Sequence, residues 1–561
     1  MRKLFALLLG ATAALSAVAQ TPANTSTQQD VGPLVERIDI RVINIDVVVT
    51  DRKGNRVTGL TKDDFELYEN GVPKPVSNFY EVVSEKKGAP APLAAAPAPA
   101  SAAPTLADIP DNQRRRIIFY IDNLSLAPFN RNRVFKEMKK FITTVMRPGD
   151  EAMIATFNRS LKVRVPFTRD AVQVQQTLDA IAGESGLGLN ARSESRDTLK
   201  RIEDAESGDE ATSIARQYAE SVQHDMRQSV ESLNGLMATV AGVEGKKVLV
   251  LTTEGFQIQP GREMFQAVEE YGRQKGWVTS GTLLQGMAYD AGSLVQSIAR
   301  TANANGLTLY TIHAGGLGAG SENNLAEFDK ATPYSVTSTA LANSTESLQI
   351  MADMTGGVAS LNTNNFADAF KKISDDLDTY YSLGYRAGTE RVDRQRNIQV
   401  RMKNRAFTAR ARQTFVEKSS FADMSDRVIA NLLYRSKAND LKIVAKINTP
   451  IPADDLYKVP IDVHIPMDNL TLLPQGETLA GGFTIYVVVG NKDGDMSDVQ
   501  HQQHTIRIPA ADVNKAKGKY YTYTLDLLME PGLNNVSIGV VDDVSNVQGF
   551  AREQILARDL R

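Results

Sequence analysis

Residues 117–122 read Ile-Ile-Phe-Tyr-Ile-Asp, an apolar run that stops at a carboxylate. Such a run fits a strand covered on both faces, since a half-exposed strand alternates. Downstream the period changes: Val134, Phe135, Met138, Phe141, Ile142 and Val145 recur at helical spacing. After a Gly149-Asp150 turn, Ala152 to Phe157 forms a second strand, and Leu161, Val163 and Val165 alternate as a third. Thr168 opens a helix through Val172, Val174, Leu178 and Ile181. Residues 183–210 are rich in Gly, Ser and charge, and a long amphipathic helix follows from Ile214 to Val240. Strand Val248–Leu251 then runs into Thr252-Thr253-Glu254-Gly255. A helix around 291–304 leads to strand Leu307–Ile312. Another through Leu348 and Met351 ends at Thr355-Gly356-Gly357, and Phe366 to Tyr380 mark a last helix. Strands alternating with helices predict a mainly parallel sheet covered on both faces, an α/β unit over 113–387.

The flanks read differently. Residues 89–104 hold nine alanines and five prolines among sixteen, a composition that buries no core and predicts an extended linker over 86–112. Before it, 35–85 predicts a small β module. There Ile38, Ile40 and Val42 alternate, and Ile45, Val47 and Val49 alternate in the opposite phase, as at a bulge or a switch of sheets. Glu69-Asn70-Gly71 signals a hairpin. From 382 onward the pattern is of strands, with a β extension at 395–418 and an antiparallel C-terminal β-sandwich over 420–561. The expected fold class is therefore α/β plus β, a doubly wound central domain flanked by β modules.

Arg2 and Lys3, the apolar stretch from Leu4 to Leu15, and Ala17-Val18-Ala19 before Gln20 form the pattern of a secretory signal peptide over 1–19, cleaved after Ala19. A secreted or periplasmic protein is expected, with no further membrane-spanning segment. The chain of 561 residues contains no cysteine, which excludes disulfides, thiolate metal sites and thiol nucleophiles. A formal charge of −3 gives no basic face for nucleic acid.

Open α/β sheets place ligands at the carboxyl ends of their strands. Asp122 and Glu254 stand there, with Asn123, Ser125, Thr252 and Thr253 beside them. Hard oxygen donors of this kind suit Mg²⁺, Mn²⁺ or Ca²⁺. Other motifs fail on spacing. Gly315–Gly320 lacks the dinucleotide pattern, Gly183-Glu184-Ser185-Gly186-Leu187 is not a nucleophile elbow, and Asp493, Asp495 and Ser497 lack the glycine and closing glutamate of a calcium loop. His501 and His504 lie in a polar strand-rich stretch.

The buried strand ending at Asp122, the Gly149-Asp150 turn and Thr253-Glu254-Gly255 together resemble a von Willebrand factor A domain. Val47-Val48-Val49-Thr50-Asp51-Arg52-Lys53-Gly54, Asp64-Phe65-Glu66-Leu67-Tyr68-Glu69-Asn70-Gly71, Thr355-Gly356-Gly357 and Tyr380-Tyr381-Ser382-Leu383-Gly384-Tyr385 extend the resemblance, over about 37–416, to the acidobacterial VWFA-related family. It implies a metal-ion-dependent adhesion site of the form Asp-x-Ser-x-Ser with a distant Thr and Asp, completed by an acidic group from a partner. This chain departs from that form. Leu124 and Leu126 stand where both serines belong, Ser125 is one residue out of register, Glu254 replaces the later aspartate, and the 184–188 loop holds no threonine.

The expected metal set is thus a degenerate one of Asp122, Ser125 and Glu254, with no cofactor or only weak Mg²⁺, Mn²⁺ or Ca²⁺ binding and no catalytic residue. The alternative for Asp122 and Glu254 is that they cap helix N-termini or meet a basic side chain. Three functions stay open. The first is a non-catalytic scaffold that binds unidentified proteins at the cell envelope. The second is divalent-metal-dependent ligand binding or hydrolysis through Asp122 and Glu254. The third is structural envelope assembly by self-association through edge strands.

Overall fold

The computed structural model describes residues 42–83, 114–147, 149–279, 281–317, 333–386, 392–435 and 438–558. The expected leader at 1–19 and linker at 86–112 lie outside them. The described residues divide into two compact units, one over 42–238 and 244–418, the other over 239–243 and 419–558. No helix among them is long and apolar enough to cross a membrane.

The first unit opens with strands β1 (Val42–Asp51), β2 (Phe65–Glu69), β3 (Val72–Lys74) and β4 (Asn78–Val83). The α/β part follows: β5 (Arg115–Asp122), α1 (Pro128–Thr144), β6 (Glu151–Phe157), β7 (Leu161–Thr168), α2 (Ala171–Ala182), α3 (Gly188–Asp204), α4 (Gly208–Thr239) and β8 (Lys246–Thr253). It continues with α5 (Arg262–Lys275), α6 (Thr282–Met287), α7 (Gly292–Ala304), β9 (Leu307–His313), α8 (Tyr334–Thr355), β10 (Ala359–Ser360) and α9 (Phe366–Asp378). Strands β11 (Thr379–Arg386), β12 (Gln395–Met402), β13 (Phe407–Ala411) and β14 (Thr414–Val416) close the unit.

Six strands form one sheet in the order β10-β9-β8-β5-β6-β7, parallel except for β7 at one edge. The chain leaves the neighbours β5 and β8 toward opposite edges, so the topological switch point lies between their carboxyl ends. Every residue of β5 is buried, as its unbroken apolar run requires. Ile117, Phe119 and Ile121 pack with α1, α2 and α9 in one core cluster. On the opposite face Thr311 Oγ1 donates to Leu348 O of α8 at 3.1 Å. Helices α3, α4 and α5 add a second cluster through Leu199, Ile202, Ile214, Tyr218, Met264 and Phe265.

Residues 42–83 do not fold as a module of their own. Strands β13-β1-β11-β4 make one sheet and β14-β12-β2-β3 another, so the segment expected at 35–85 is interleaved with β11 and with the segment expected as an extension at 395–418. The reason is burial. Ile43, Ile45, Val47 and Val49 need an apolar partner layer, and Tyr381, Leu383, Tyr385 and Ile398 supply it from the far end of the unit. A short meander alone would leave that face wet. The expected phase slip is absent from the described part of β1. Val42 is exposed, Ile43 to Val49 hold one alternation, and the pairing runs unbroken from Val42↔Arg386 to Val47↔Tyr381.

The second unit begins with a helix where the sequence pattern suggests strands alone: α10 (Ser420–Tyr434), capped by Ser419 Oγ accepting from Ala422 N. Nine strands follow: β15 (Val444–Ile447), β16 (Ile451–Ala453), β17 (Leu456–Pro466), β18 (Leu473–Gln475), β19 (Thr478–Asn491), β20 (Gln500–Pro509), β21 (Tyr520–Met529), β22 (Gly532–Asp542) and β23 (Gln548–Ala557). They form two antiparallel sheets, one centred on β17 and the other on β19 and β22. Alternate residues of both sheets, among them Val459, Ile461, Phe483, Ile485, Leu525 and Ile538, share one core. Met424, Val428 and Leu432 of α10 pack on Tyr486, Val488 and Phe550.

Candidate functional site

The carboxyl ends of β5 and β8 bring Asp122, Ser125, Thr253 and Glu254 together. A tight turn follows β5, with Ser125 N and Leu126 N both donating to Asp122 O, at 3.2 and 3.0 Å. That turn swings Ser125 back over the strand end, so its place in the sequence does not keep it from the site. Asp122 Oδ2 accepts from Ser125 Oγ at 2.7 Å and Thr253 Oγ1 at 2.8 Å, and the two hydroxyl oxygens stand 2.8 Å apart. Ser125 Oγ also accepts from Glu254 N at 3.1 Å. Asp122 is 3% exposed and its Oδ1 is buried without a partner. Burial holds the Asp122 carboxyl above its ordinary value, with the Ser125 and Thr253 hydroxyls opposing the shift.

Glu254 is committed elsewhere. Its Oε1 accepts from Ala127 N at 2.7 Å and from Asn130 Nδ2 at 3.2 Å, at the N-terminus of α1, where Ala127 has no side-chain cap to offer. Its Oε2 forms an ion pair with Arg192 of α3. Both roles weighed for this residue, helix capping and a basic partner, are thus met together. Beneath, Arg131 is fully buried and donates to Asn123 Oδ1 at 3.1 Å, Ala182 O at 3.1 Å and Glu184 O at 2.7 Å. Helix α3 reaches the site because Gly188 lets it: a Cβ there would lie 2.4 Å from Ser125 O. His313, opposite Thr253 across the β8–β9 ladder, is 5% exposed and its Nδ1 has no partner. Burial holds its imidazole below the ordinary value, so it stays neutral near pH 7.

The rim is apolar. Phe129, next to Asn130, is 69% exposed, and Leu189, next to Gly188, is 53% exposed. Arg133 lies over the Phe129 ring at 5.8 Å and donates to Asn364 Oδ1, which also accepts from the backbone of exposed Leu317.

A divalent cation would find Asp122, Ser125 and Thr253 as donors. A hard dication takes about six oxygens, and Glu254 is already neutralised by Arg192. Leu126 points into the core, and Leu124 has no oxygen to give. The set does not fit a tightly held dication. Among the described residues no three His, Cys, Asp or Glu side chains gather into a metal cluster. The sequence names Asp122, Ser125, Thr253 and Glu254 but not Arg192 or His313. Arg192 sits in the stretch 183–210, whose Gly, Ser and charge mask the helix α3, and no spacing ties either residue to Asp122.

No family model matches the chain, and no curated protein matches it. Solved structures that do match include a von Willebrand factor type A protein from Catenulispora acidiphila, at 9% identity over 80% of this chain and 66% of that one, TM-score 0.23. BatB from Bacteroides thetaiotaomicron matches at 10% identity over 47% of this chain and 97% of that one, TM-score 0.21. Proximal thread matrix protein 1 from the mussel byssus matches at 12% identity over 47% of this chain, TM-score 0.22, and the chain spans 48% of its length. At such scores the function must be argued from the residues of this chain itself.

Proposed function

We propose that this chain is an exported, non-catalytic binding protein of the VWFA-related type, whose α/β unit docks a protein partner at the cell envelope. The switch point carries the reading: a partly exposed Arg192–Glu254 ion pair lies where Glu254 caps α1, which also carries the exposed Phe129, while exposed Leu189 stands one turn before Arg192 on α3. Aromatic side chains and arginine are enriched at protein interfaces. Two observations support the non-catalytic part of this reading. His313 is buried, and Ser125 donates to a carboxylate whose remaining oxygen is enclosed.

The test is retention from an envelope extract on the immobilised full chain. The wild type is expected to hold a specific protein, and Phe129→Ser and Arg192→Glu are each expected to weaken its retention at least about tenfold, equivalent to about 1.4 kcal/mol. Equal retention by the wild type and both folded variants would move the docking surface elsewhere.

A further inference from the structure

The opposite end of the same sheet holds a partly open cavity of about 460 Å³, bounded by the starts of β8 and β9 and by the polar face of β1, β11 and β13. Its volume lies within the range of small-ligand sites. The other face of those three strands is the apolar core around Ile45 and Leu383, so the polar lining follows from strand alternation.

The charges in this cavity do not balance. Asp376 is 1% exposed and takes Arg56, both oxygens of contact from Arg410 at 2.9 and 3.0 Å, and the Tyr310 hydroxyl at 3.0 Å. Those contacts occupy both of its oxygens, and its charge still acts on Lys246 through space. Lys246 Nζ lies over the Tyr380 ring at 3.1 Å from its centre and 3.5 Å from Asp46, whose side chain is 45% exposed. Arg412 donates to Asn44 O at 2.7 Å and lies over the Phe415 ring at 5.2 Å. The lining carries four cationic side chains, Lys246, Lys247, Arg410 and Arg412, and two carboxylates, Asp46 and Asp376, a surplus of two positive charges around a partly open space. Burial pulls both the Lys246 ammonium and the Arg412 guanidinium below their ordinary values, with Asp46 opposing at both and Asp376 also opposing at Lys246. Cations held in a poorly hydrated site favour a bound anion over water.

We propose that this cavity binds a small dianion, inorganic phosphate or a short dicarboxylate, between Lys246 and Arg412. The site is separate from the docking face and does not depend on it. Phosphate would suit the fork of Arg412 bidentately, with Lys246 as a point charge.

Calorimetric titration of the full chain with phosphate and, separately, with succinate, in chloride buffer of fixed ionic strength, tests this. One of the two is expected to bind saturably at one site per chain and to raise the melting temperature in step with its concentration. The anion that binds identifies the source. Arg412→Gln, which keeps a donor for Asn44 O, and Lys246→Met are each expected to weaken that binding at least about tenfold. Both variants should remain folded in chloride alone, so that the loss of binding reads the site and not the fold. Absence of saturable binding by both anions, or wild-type affinity in either variant, would overturn the proposal.

Discussion

Asp376→Ala is expected to destabilise the first unit by about 3–5 kcal/mol, the range for breaking a buried ion pair by removing one partner. The Asp376 carboxylate joins four parts of the chain: α9 through its own backbone, β9 through Tyr310, β13 through Arg410, and the turn after β1 through Arg56. Arg410 also donates to Gly356 O and Gly357 O at 3.0 and 2.9 Å. The variant leaves Arg56 and Arg410 in a largely buried place without their carboxylate, a cost larger than the lost bonds themselves. Urea unfolding of the full chain, followed by a probe in the first unit, should show the midpoint fall with little change in slope. A loss under about 1 kcal/mol would place the linkage between these sheets in their apolar contacts instead.

Arg396→Met is expected to cost a comparable about 3–5 kcal/mol near neutral pH, even though methionine restores much of the volume. Arg396 is 2% exposed and bridges Glu69 Oε1 at 2.7 Å and Glu417 Oε2 at 2.6 Å, tying β2 and the end of β14 to β12. Despite burial, Arg396 and Lys74 hold the Glu69 carboxyl below its ordinary value. The sign of the pH dependence follows. A depressed carboxyl stabilises the fold above its unfolded value near 4.5 and loses that contribution as pH falls through the folded value. The wild type should therefore weaken in acid. In the variant Glu69 has lost Arg396, so its protonation relieves the loss and the deficit relative to wild type should shrink below pH 4.5. A deficit that stays constant from pH 7 to about pH 4 would assign Arg396 a packing role alone.

Local pattern made the α/β core readable. The unbroken run 117–121, the helical periods after it and the carboxylate at its end placed β5, α1 and the strand end that carries the site from sequence. Two kinds of feature were not readable. Strand partners far apart in the chain leave no local trace, so nothing in 42–51 announces that β1 lies between β11 and β13. Helices with mixed faces escape periodicity: α3 buries little beyond Thr198, Leu199 and Ile202, and α10 begins among residues that also suit a turn. The site divides the same way. Asp122 and Glu254 are legible because open sheets put ligands at strand ends. That Glu254 caps α1 and pairs with Arg192 depends on a helix brought in by Gly188, which only the folded geometry reveals.

On the proposed reading, hydrocarbon at positions 124 and 126 and the pairing of Glu254 with Arg192 mean that this face works through its own side chains and not through a held ion. Calorimetric titration of the full chain with Mn²⁺ tests that most directly. No saturable binding is expected at concentrations below about 1 mM, the weak end of oxygen-ligand cation sites. A dissociation constant of about 1 μM that disappears in Asp122→Ala would mean that Asp122 Oδ1, Ser125 and Thr253 hold a cation after all.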